Sequence, residues 1–540
     1  MLPCVIYEDE HLLVVNKPAG MNTHAPAPLA SQGIFEWLRD REPRWAALAI
    51  VHRLDKETSG VMVFGKTNLA NRSLTEQFAA RSVRKHYVLL TDRAVPATKL
   101  SVKSSLVRAG ERYLSRPLHA GADVAETEFR VQNSTNQARS GLPQGSYTWV
   151  EVTPLTGRTH QIRVHAASRG FPILGDALYG GTRAARLCLH SWKLVLEHPL
   201  TGKELNFEAT PDFSTDSRLE LRRAFVDPVE TTVCRLIHGA SDGWPGWYVD
   251  GLGDFLLSQS EGSLTAQQEA KMQESMDTNL LRGAYHKMLT RQVRNTKVQD
   301  VSPRHVKGEK APERFIVREN GAEFELSFSE GYSVGLFLDQ RDNRRRLMTR
   351  YVASDFPLYN AKEEGSVPQV LNVFAYTCGF SVCAALGGAR VTSLDLSKKY
   401  LDWGRSNFMR NKLGLDARDF IYGDAFQWLR RLGRKDRTFD LVVLDPPTFS
   451  ASKESGSFRV ERDYGKLIAA ALPLVRRGGV LFASANAANW ASEEFLAVVR
   501  SAVTRSGRAC QAQHFVAQPP DFPVSRAEPA YLKTVWMRVD

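Results

Sequence analysis

Short apolar runs separated by polar turns dominate the first two hundred residues. The stretch VIYEDEHLLVVNKPAG holds two apolar clusters before a Lys-Pro-Ala-Gly stop, and GVMVFGKT and KHYVLLTD are two further runs typical of strands. Between these two, NLANRSLTEQFAAR places Leu69, Leu74 and Phe78 at helical spacing. The polar stretch at 133–146, which contains Gly and Pro, predicts an exposed hairpin loop.

The pattern changes twice further along the chain. Strand patterning stops at 210–223, where a polar helical stretch follows, and 230–310 contains short strand-like pieces with the charged segment SPRHVKGEKAPER, which predicts a loop. From about residue 367, PQVLNVFAY, ARVTSLDLS, DFIYGDAF, FDLVVLDPP and GGVLFASA are apolar runs, each followed by a helix-compatible segment. This alternation favours βαβ units in a parallel, doubly wound sheet. We therefore predict domains at 1–213 and 311–540, with a linker and a small α+β connector at 214–310.

Charge and composition narrow the class of protein. The 540 residues carry a net charge of +12, and with 26 basic and 20 acidic residues in 1–213 against 45 and 39 in 214–540, each part holds +6. Two basic folded domains suit a polyanionic partner such as nucleic acid, although an ordinary basic protein is the alternative. The absence of an uncharged apolar run near the roughly 20 residues of a membrane helix excludes an integral membrane protein. Six scattered cysteines and no secretory signal pattern at the start predict a cytoplasmic protein.

The segment VHRLDKETSG at 51–60 places Asp55 in a polar turn before an apolar strand. By itself, Asp55 could cap that turn through its side-chain oxygen. Other blocks accompany it in order: NKPAG at 16–20, KHY at 85–87, TGRTHQIRVH at 156–165 and LHSWKLVLEHPLTGKELNFEATPDF at 189–213. Over about residues 5–213 these blocks resemble the RluA family of RNA pseudouridine synthases.

The resemblance implies an α+β fold, with a mixed antiparallel sheet around a central cleft, and an isomerase that uses neither metal nor organic cofactor. Asp55 would be the nucleophile that acts on the target uridine, and Arg163 would pair with it, although Arg163 could also be a plain phosphate binder. Tyr87 would stack on the base and assist proton removal at C5. Arg53 would enter the RNA stack from which the uridine is flipped out.

A second constellation lies in the last 170 residues. LNVFAYTCGF at 371–380 predicts a strand, a turn and a helix, and Asp395 ends the next strand, where a carboxylate can accept ribose hydroxyls. Asp424 ends the third strand and could bind an adenine amino group or cap a turn. In DPPTF, the prolines stop the strand so that Asp445 and carbonyl groups face a cleft, and Phe449 can stack on a base. A proline-rich strand end with a core Phe is the alternative.

Over about 230–540 the chain resembles class I, Rossmann-like methyltransferases that use S-adenosylmethionine and act on large-subunit 23S rRNA. HGASDGWPGWYVDGLGDF at 238–255, GLFLDQRDNR at 335–344 and the closing EPAYLKTVWMRV carry the likeness together with the strands above. From the DPPTF motif, Asp445 and Phe449 are the candidate catalytic residues at the target base. The resemblance implies a cofactor site that contains Gln340, Arg341, Phe374, Tyr376, Gly379, Asp395, Asp424 and Asp445.

The methylated atom can be addressed through the cysteines. Cytosine C5 becomes nucleophilic only after a cysteine thiolate adds to the ring, and relatives that make 5-methylcytosine carry that cysteine after the fifth strand. Here the strand reads LFASANA at 481–487, with no cysteine and with Asn486 as a candidate base contact. This looks more like the guanine-N7 branch. Cys378 stands where relatives usually have glycine, and both Cys378 and Cys383 are interpreted as packing residues.

Together the two halves predict a bifunctional RNA-modifying enzyme whose partner is RNA, most simply large-subunit rRNA, with no membrane and no metal. Three alternatives stay open. The same activities could act on tRNA, the methyl group could go to cytosine C5, or the protein could be an RNA-binding folding factor with one vestigial active site.

Overall fold

The computed structural model describes residues 2–121, 123–132, 146–289, 302–331, 333–359, 366–452 and 456–540. The chain forms two compact units. The first unit comprises Met1–Pro26, Gln32–Arg39 and Arg44–Asp227, and the second comprises Ala27–Ser31, Asp40–Pro43 and Pro228–Asp540. The helix after the predicted boundary at residue 213 belongs to the first unit. Of the predicted hairpin loop at 133–146, residues 133–145 lie outside the described residues.

The first unit is an eleven-stranded mixed sheet with four helices. The spatial order is β1-β2-β4-β10-β5-β9-β8-β6-β7, with β3 beside β4 and β11 beside β10; β4 and β10 are parallel, and the other pairs are antiparallel. Its strands are β1 Val5–Glu8, β2 Leu12–Lys17, β3 Ala49–Ile50, β4 Ser59–Gly65, β5 Arg84–Thr91, β6 Lys99–Ala109, β7 Arg112–Arg116, β8 Val124–Val131, β9 Thr148–Pro154, β10 Leu189–Glu197 and β11 Glu204–Glu208. Its helices are α1 Ile34–Arg39, α2 Asn68–Ala79, α3 Gln161–Ser168 and α4 Ser217–Phe225.

The predicted helix before KHYVLLTD is confirmed as α2. Thr67 caps it by accepting a hydrogen bond from the Ala70 amide, which satisfies one of the free N–H groups of the first turn. Ala70 and Leu74 are buried against the sheet, whereas Leu69 is exposed. The predicted strands on either side are confirmed as β4 and β5.

The second unit begins with a five-stranded sheet, in the order β12-β13-β14-β15-β16, and a separate hairpin of β17 and β18. These strands are β12 Val233–His238, β13 Trp247–Leu252, β14 Phe255–Ser260, β15 Gly283–Met288, β16 Arg304–Gly308, β17 Phe315–Glu319 and β18 Ala322–Leu326, and α5 Ala266–Thr278 lies between β14 and β15. The predicted loop at 302–314 is wrong in part, because Arg304–Gly308 pairs with β15 as an edge strand. Its side chains are mostly exposed, so the charged sequence of this edge resembles that of a loop.

The rest of the second unit is the predicted doubly wound sheet, which is confirmed. Its order is β23-β22-β21-β24-β27-β29-β28, in which the first five strands are parallel and β29 and β28 are antiparallel to their neighbours. The strands are β19 Tyr351–Ala353, β20 Phe356–Pro357, β21 Gln369–Val373, β22 Arg390–Asp395, β23 Phe420–Tyr422, β24 Phe439–Leu444, β25 Phe449–Ser452, β26 Gly456–Arg459, β27 Val475–Asn486, β28 Cys510–Val516 and β29 Leu532–Val539. The helices are α6 Arg341–Thr349, α7 Gly379–Leu386, α8 Lys398–Arg410, α9 Ala425–Gly433, α10 Val460–Ala471 and α11 Ser492–Arg505.

The central strands of this sheet are buried on both faces. Every residue of β24 and of β29 is buried, as expected for strands that helices cover on two sides. Such a sheet binds ligands beyond the carboxyl ends of its strands. In the described part of the chain, no helix combines the length and the apolar character needed to cross a membrane.

Candidate active sites

In the first unit, Asp55 lies in the turn between β3 and β4. The amide of Thr58 donates to the Asp55 carbonyl, and the fully buried Lys17 donates its ammonium hydrogens to the carbonyls of Pro18, Met21 and Lys56. Burial lowers the pKa of Lys17 to about 7. Three backbone carbonyls around one buried amine fix the loop that carries Asp55.

The close packing of β4 on β10 explains the glycine at the end of this motif. Gly60 has φ of 119°, and a Cβ there would lie 2.2 Å from the Ser191 carbonyl oxygen. Only glycine allows this backbone approach, so the strand that follows Asp55 has a single position against β10.

Arg163 reaches the same region from α3, after the chain turns through His160 in the left-handed conformation, with φ of 55°. Its Nε and one terminal nitrogen each donate to Asp176 at 2.8 Å, whereas the other terminal nitrogen is 3.9 Å from Asp55 Oδ2. The side chains of Asp176 and Arg163 are 1% and 8% exposed. The family resemblance implied Asp55 as the partner of Arg163, but the bidentate partner is Asp176.

Asp176 is the residue that sequence reasoning missed. It lies in ILGDALYG at 173–180, thirteen positions after Arg163, and nothing in the spacing links the two. The only local signal is a lone acid between apolar residues and glycines. The ring of Tyr179 from the same segment lies 5.1 Å from the Arg163 guanidinium carbon, and His160 Nδ1 is 2.8 Å from the Tyr179 hydroxyl.

Tyr87 and Arg53 complete the predicted set. Tyr87 is 9% exposed on β5, and burial raises its pKa to about 12, with a smaller contribution from the charge of Asp55. Tyr87 is therefore a neutral phenol at ordinary pH. Arg53 is exposed and donates to the Thr159 hydroxyl at 2.8 Å. Residues from β5, α3 and the loop before β4 thus converge on one place.

The second unit contains a cavity of about 1130 Å³ at the carboxyl ends of β21, β22 and β24. This volume exceeds the roughly 300–1000 Å³ typical of small-ligand pockets, so a nucleoside cofactor and a base fit together. The sequence-predicted residues that line it are Gln340, Phe374, Tyr376, Gly379, Asp395, Asp424, Asp445 and Asn486.

Two predicted residues lie elsewhere. Arg341 is 3% exposed and does not line the cavity, because its guanidinium forms a bidentate ion pair with the buried Asp521. Phe449 opens β25 and is 39% exposed, with the Arg459 guanidinium carbon 5.7 Å from its ring. Its neighbours Thr448 and Ser450 line the cavity instead.

The loop between β21 and α7 has an unusual backbone. Phe374, Tyr376 and Cys378 all adopt left-handed conformations, with φ of 64°, 50° and 63°. The Asp395 carboxylate accepts the amide hydrogens of Tyr376 and Ser397 at 2.8 Å each, which holds the loop against the end of β22. Strained backbone of this kind persists where neighbouring contacts over-determine it, often at binding sites.

Cys378 occupies a backbone position that suits glycine, and the fold compensates for its side chain. A Cβ at Gly404 on α8 would lie 2.3 Å from the Cys378 sulfur, so the glycine there leaves room for it. Burial raises the pKa of the Cys378 thiol to about 12 and also raises that of Cys383. Both cysteines are therefore protonated packing residues, and none of the six cysteines lines the cavity.

Asp445 and Asp424 differ in their surroundings. Gln340 Nε2 donates to Asp445 Oδ1 at 3.1 Å and to the Ser484 hydroxyl at 2.8 Å. Burial, together with the nearby charge of Asp339, raises the pKa of Asp445 to about 6. Asp424 caps α9 by accepting the Gln427 amide hydrogen at 3.0 Å, so the capping role left open by the sequence is present in addition to its place in the cavity wall.

Comparison with known proteins separates the two units. Residues 11–168 match the family model described as RNA pseudouridylate synthase, and residues 283–538 match that of S-adenosylmethionine-dependent methyltransferase. The ribosomal large subunit pseudouridine synthases C of Yersinia pestis and Salmonella typhi are 37% and 36% identical over 39% and 41% of this chain, and the alignments cover 66% and 70% of those proteins. A ribosomal RNA large subunit methyltransferase of Deinococcus radiodurans is 33% identical over 60% of this chain and 78% of its own length.

The chain belongs to both families. It joins an RNA pseudouridine synthase to an S-adenosylmethionine-dependent methyltransferase, as the two resemblances predicted. The first unit is hereafter the synthase half, and the second is the methyltransferase half. No group of three or more His, Cys, Asp or Glu side chains that could hold a metal ion occurs among the described residues of either half.

Proposed function

We propose that the synthase half isomerises uridine to pseudouridine and that the methyltransferase half methylates guanine N7, both in large-subunit rRNA in the cytoplasm. The observation that carries the proposal is the presence of a complete side-chain set in each half. In the synthase half, the set is the carboxylate of Asp55 with the guanidinium of Arg163 beside it. In the methyltransferase half, it is the group of side chains that line the cavity at the carboxyl ends of the parallel strands.

In the synthase half, Asp55 acts as the nucleophile, and the Arg163 guanidinium, 3.9 Å from its carboxylate, directs it. Tyr87 is a neutral phenol, so it stacks on the base and positions C5, and the C5 proton leaves to solvent water and not to a phenolate. Arg53, exposed beside Thr159, fills the space that the flipped uridine leaves in the RNA. This half uses neither metal nor organic cofactor.

In the methyltransferase half, bound S-adenosylmethionine would supply the electrophilic methyl group. Of the residues that line the cavity, Asp395 would accept the ribose hydroxyls, Phe374 and Tyr376 would form the walls, and Asp424 would hold the adenine. The donor set fits this cofactor because a carboxylate that ends the second parallel strand lies beside apolar and aromatic side chains. Asp445 and Asn486, from the ends of neighbouring strands, orient the target base.

Guanine N7 is favoured by what the cavity wall contains. Methylation of cytosine C5 needs a thiolate beside the base, and no cysteine lines the cavity. Guanine N7 already carries a lone pair, so orientation beside the methyl donor is sufficient. Among the described residues, the side chains placed near the target base are the carboxylate of Asp445 and the amide of Asn486. These groups can hold a base by hydrogen bonds without attacking it.

The test uses the purified full chain with large-subunit rRNA from a deletion strain, labelled with tritium at uridine C5, and with labelled S-adenosylmethionine. We expect tritium release, methyl transfer and 7-methylguanosine on nucleoside mass spectrometry. Asp445→Ala should lower methyl transfer and leave tritium release unchanged. A product of 5-methylcytidine would overturn the assignment of the atom, and activity on tRNA alone would overturn that of the RNA. If the wild-type chain lacked one of the two activities, the alternative of an RNA-binding folding factor with one vestigial active site would be favoured.

A further inference from the structure

One surface of the methyltransferase half carries basic side chains that have no acidic partner among the described residues. Helix α9 and the turn after it read AFQWLRRLGRKDR, and five exposed cations follow one another there, with Asp436 as the one carboxylate after the helix begins. We call these five residues the α9 surface: Arg430, Arg431, Arg434, Lys435 and Arg437.

None of the five is within 4.0 Å of a carboxylate in the described part of the chain. The Arg430 Nε donates to the Phe426 carbonyl at 3.2 Å, and the guanidinium groups of Arg431 and Arg437 lie over the rings of Trp428 and Phe439. Some other cations of this half are paired with carboxylates. Arg390, Arg418 and Arg476 each contact an aspartate, at 3.3, 2.7 and 2.8 Å.

The α9 surface begins at the mouth of the cavity. Asp424, Ala425, Phe426 and Arg430 line the cavity wall, and the remaining four cations continue outward from it. Tyr422, which immediately precedes this segment, is 60% exposed. A base that enters the cavity therefore leaves its flanking phosphates near guanidinium groups and the exposed ring of Tyr422.

We propose that the α9 surface is the RNA-docking surface of the methyltransferase half, which holds the phosphates on either side of the target nucleotide. This inference rests on the proposed function, because it takes an RNA base as the occupant of the cavity. Guanidinium groups match phosphate geometry, and neutralising phosphates releases condensed counterions. Aromatic side chains beside the cations can stack on unpaired bases. An acidic protein partner has no bases, so the aromatic side chains favour RNA as the occupant.

Cations at a helix C-terminus also stabilise the helix dipole, and this role must be distinguished from RNA binding. Arg430 and Arg431 lie in the last turn of α9, but Lys435 and Arg437 lie beyond its last residue, Gly433. A dipole effect falls off within the last turn, so it does not account for the outer cations.

The test compares two full-chain variants that lose the same charge. R431Q/R434Q/K435Q/R437Q removes four members of the surface and keeps Arg430, which lines the cavity. K271Q/R282Q/R390Q/R418Q removes four exposed cations that have acidic partners. The readouts are kcat/KM for rRNA in methyl transfer at saturating S-adenosylmethionine, RNA affinity at several salt concentrations, cofactor affinity and tritium release.

For the surface variant we expect kcat/KM for RNA to fall by about 10- to 100-fold. The slope of log affinity against log salt should flatten by up to about 3, since each phosphate contact contributes roughly 0.7 on a single strand. Cofactor affinity and tritium release should stay unchanged, and the control variant should resemble the wild type.

Unchanged RNA kinetics and salt slope would overturn the proposal, as would an equal loss in the control variant. A lower melting temperature with unchanged RNA affinity would also overturn it and leave only the dipole role. If the wild-type chain transferred no methyl group to RNA, the proposed function would fail. The salt slope of RNA binding would then still decide whether the α9 surface binds RNA.

Discussion

The two active sites of this chain place charge in opposite ways. In the synthase half, one guanidinium lies between two carboxylates, so the charge of Asp55 has a cationic neighbour. In the methyltransferase cavity, Asp445 is held by the neutral amide of Gln340, and burial keeps its pKa raised. A site that carries its own nucleophile places a cation beside the carboxylate. A site whose cofactor supplies the reacting group needs a shaped space and tolerates a carboxylate whose ionised form burial disfavours.

The sites also differ in how the chain assembles them. Arg163, Asp176 and Asp55 come from a helix, a turn and a loop that are far apart in the sequence. Asp395 and Asp445 each follow directly from a parallel strand, and the cavity forms where those strand ends meet. The geometry of the Asp55 site is thus set by ion pairs between distant segments. The geometry of the cavity is set by the edge of the sheet where the strands end.

The largest expected effect comes from removing the nucleophile. Asp55→Asn should reduce tritium release from uridine by about a thousandfold or more, because an amide cannot attack the sugar or base as a carboxylate does. Methyl transfer should stay within about twofold, since the cavity lies in a separate unit with its own residues. Both rates are measured on the same RNA preparation.

The control is Glu111→Gln, the same carboxyl-to-amide change at an exposed turn between β6 and β7. It should leave both rates unchanged. Loss of methyl transfer in Asp55→Asn would mean that the two halves act in sequence, and the sites would then not be independent.

A smaller effect should follow from removing the partner that holds Arg163. Asp176→Asn removes the carboxylate that binds Arg163. The Nε and the terminal nitrogen that donate to Asp176 can then turn to Asp55, and the guanidinium binds the nucleophile too tightly. Tritium release should fall by about 10- to 100-fold, the range that misplacement of a catalytic group produces.

The matched control is Glu204→Gln, which breaks the exposed ion pair with Arg84 at 2.8 Å and should leave tritium release unchanged. An unchanged rate in Asp176→Asn would contradict the role of Asp176 in holding Arg163.

The two halves also differ in how much of each could be predicted from the sequence. The strand and helix order of the doubly wound sheet followed from the apolar runs, because central parallel strands such as β21 and β24 are buried along nearly their whole length. β16 was missed because an exposed edge strand needs only backbone pairing, and its charged side chains carry no apolar period.

Site residues could be predicted where a local motif fixes their position and not where a distant partner does. Motifs placed Asp395, Asp424 and Asp445 at strand ends, and such local positions translate directly into the cavity wall. The partner of Arg163 could not be inferred, since an ion pair between a helix and a later turn leaves no spacing signal. For the same reason Arg341, adjacent to Gln340 in the motif, points to Asp521 and away from the cavity.

The smallest expected effect concerns stability and contrasts the two carboxylates directly. Burial raises the pKa of Asp445 from 3.8 to about 6, so its ionised form destabilises the fold above that pH and costs nothing below about pH 4, where the carboxyl is neutral in both states. At about 1.4 kcal/mol per pKa unit, the cost is at most about 3 kcal/mol. Asp445→Asn should therefore raise the thermal midpoint of the methyltransferase half at pH 8, with the gain vanishing at pH 4. Asp402→Asn, at an exposed site paired with Arg405, should show no gain at either pH.

Asp55→Asn should not stabilise the synthase half, because removing that carboxylate leaves Arg163 with one anion fewer. A gain at pH 8 for Asp55→Asn, or none for Asp445→Asn, would mean that the two sites do not differ in charge compensation.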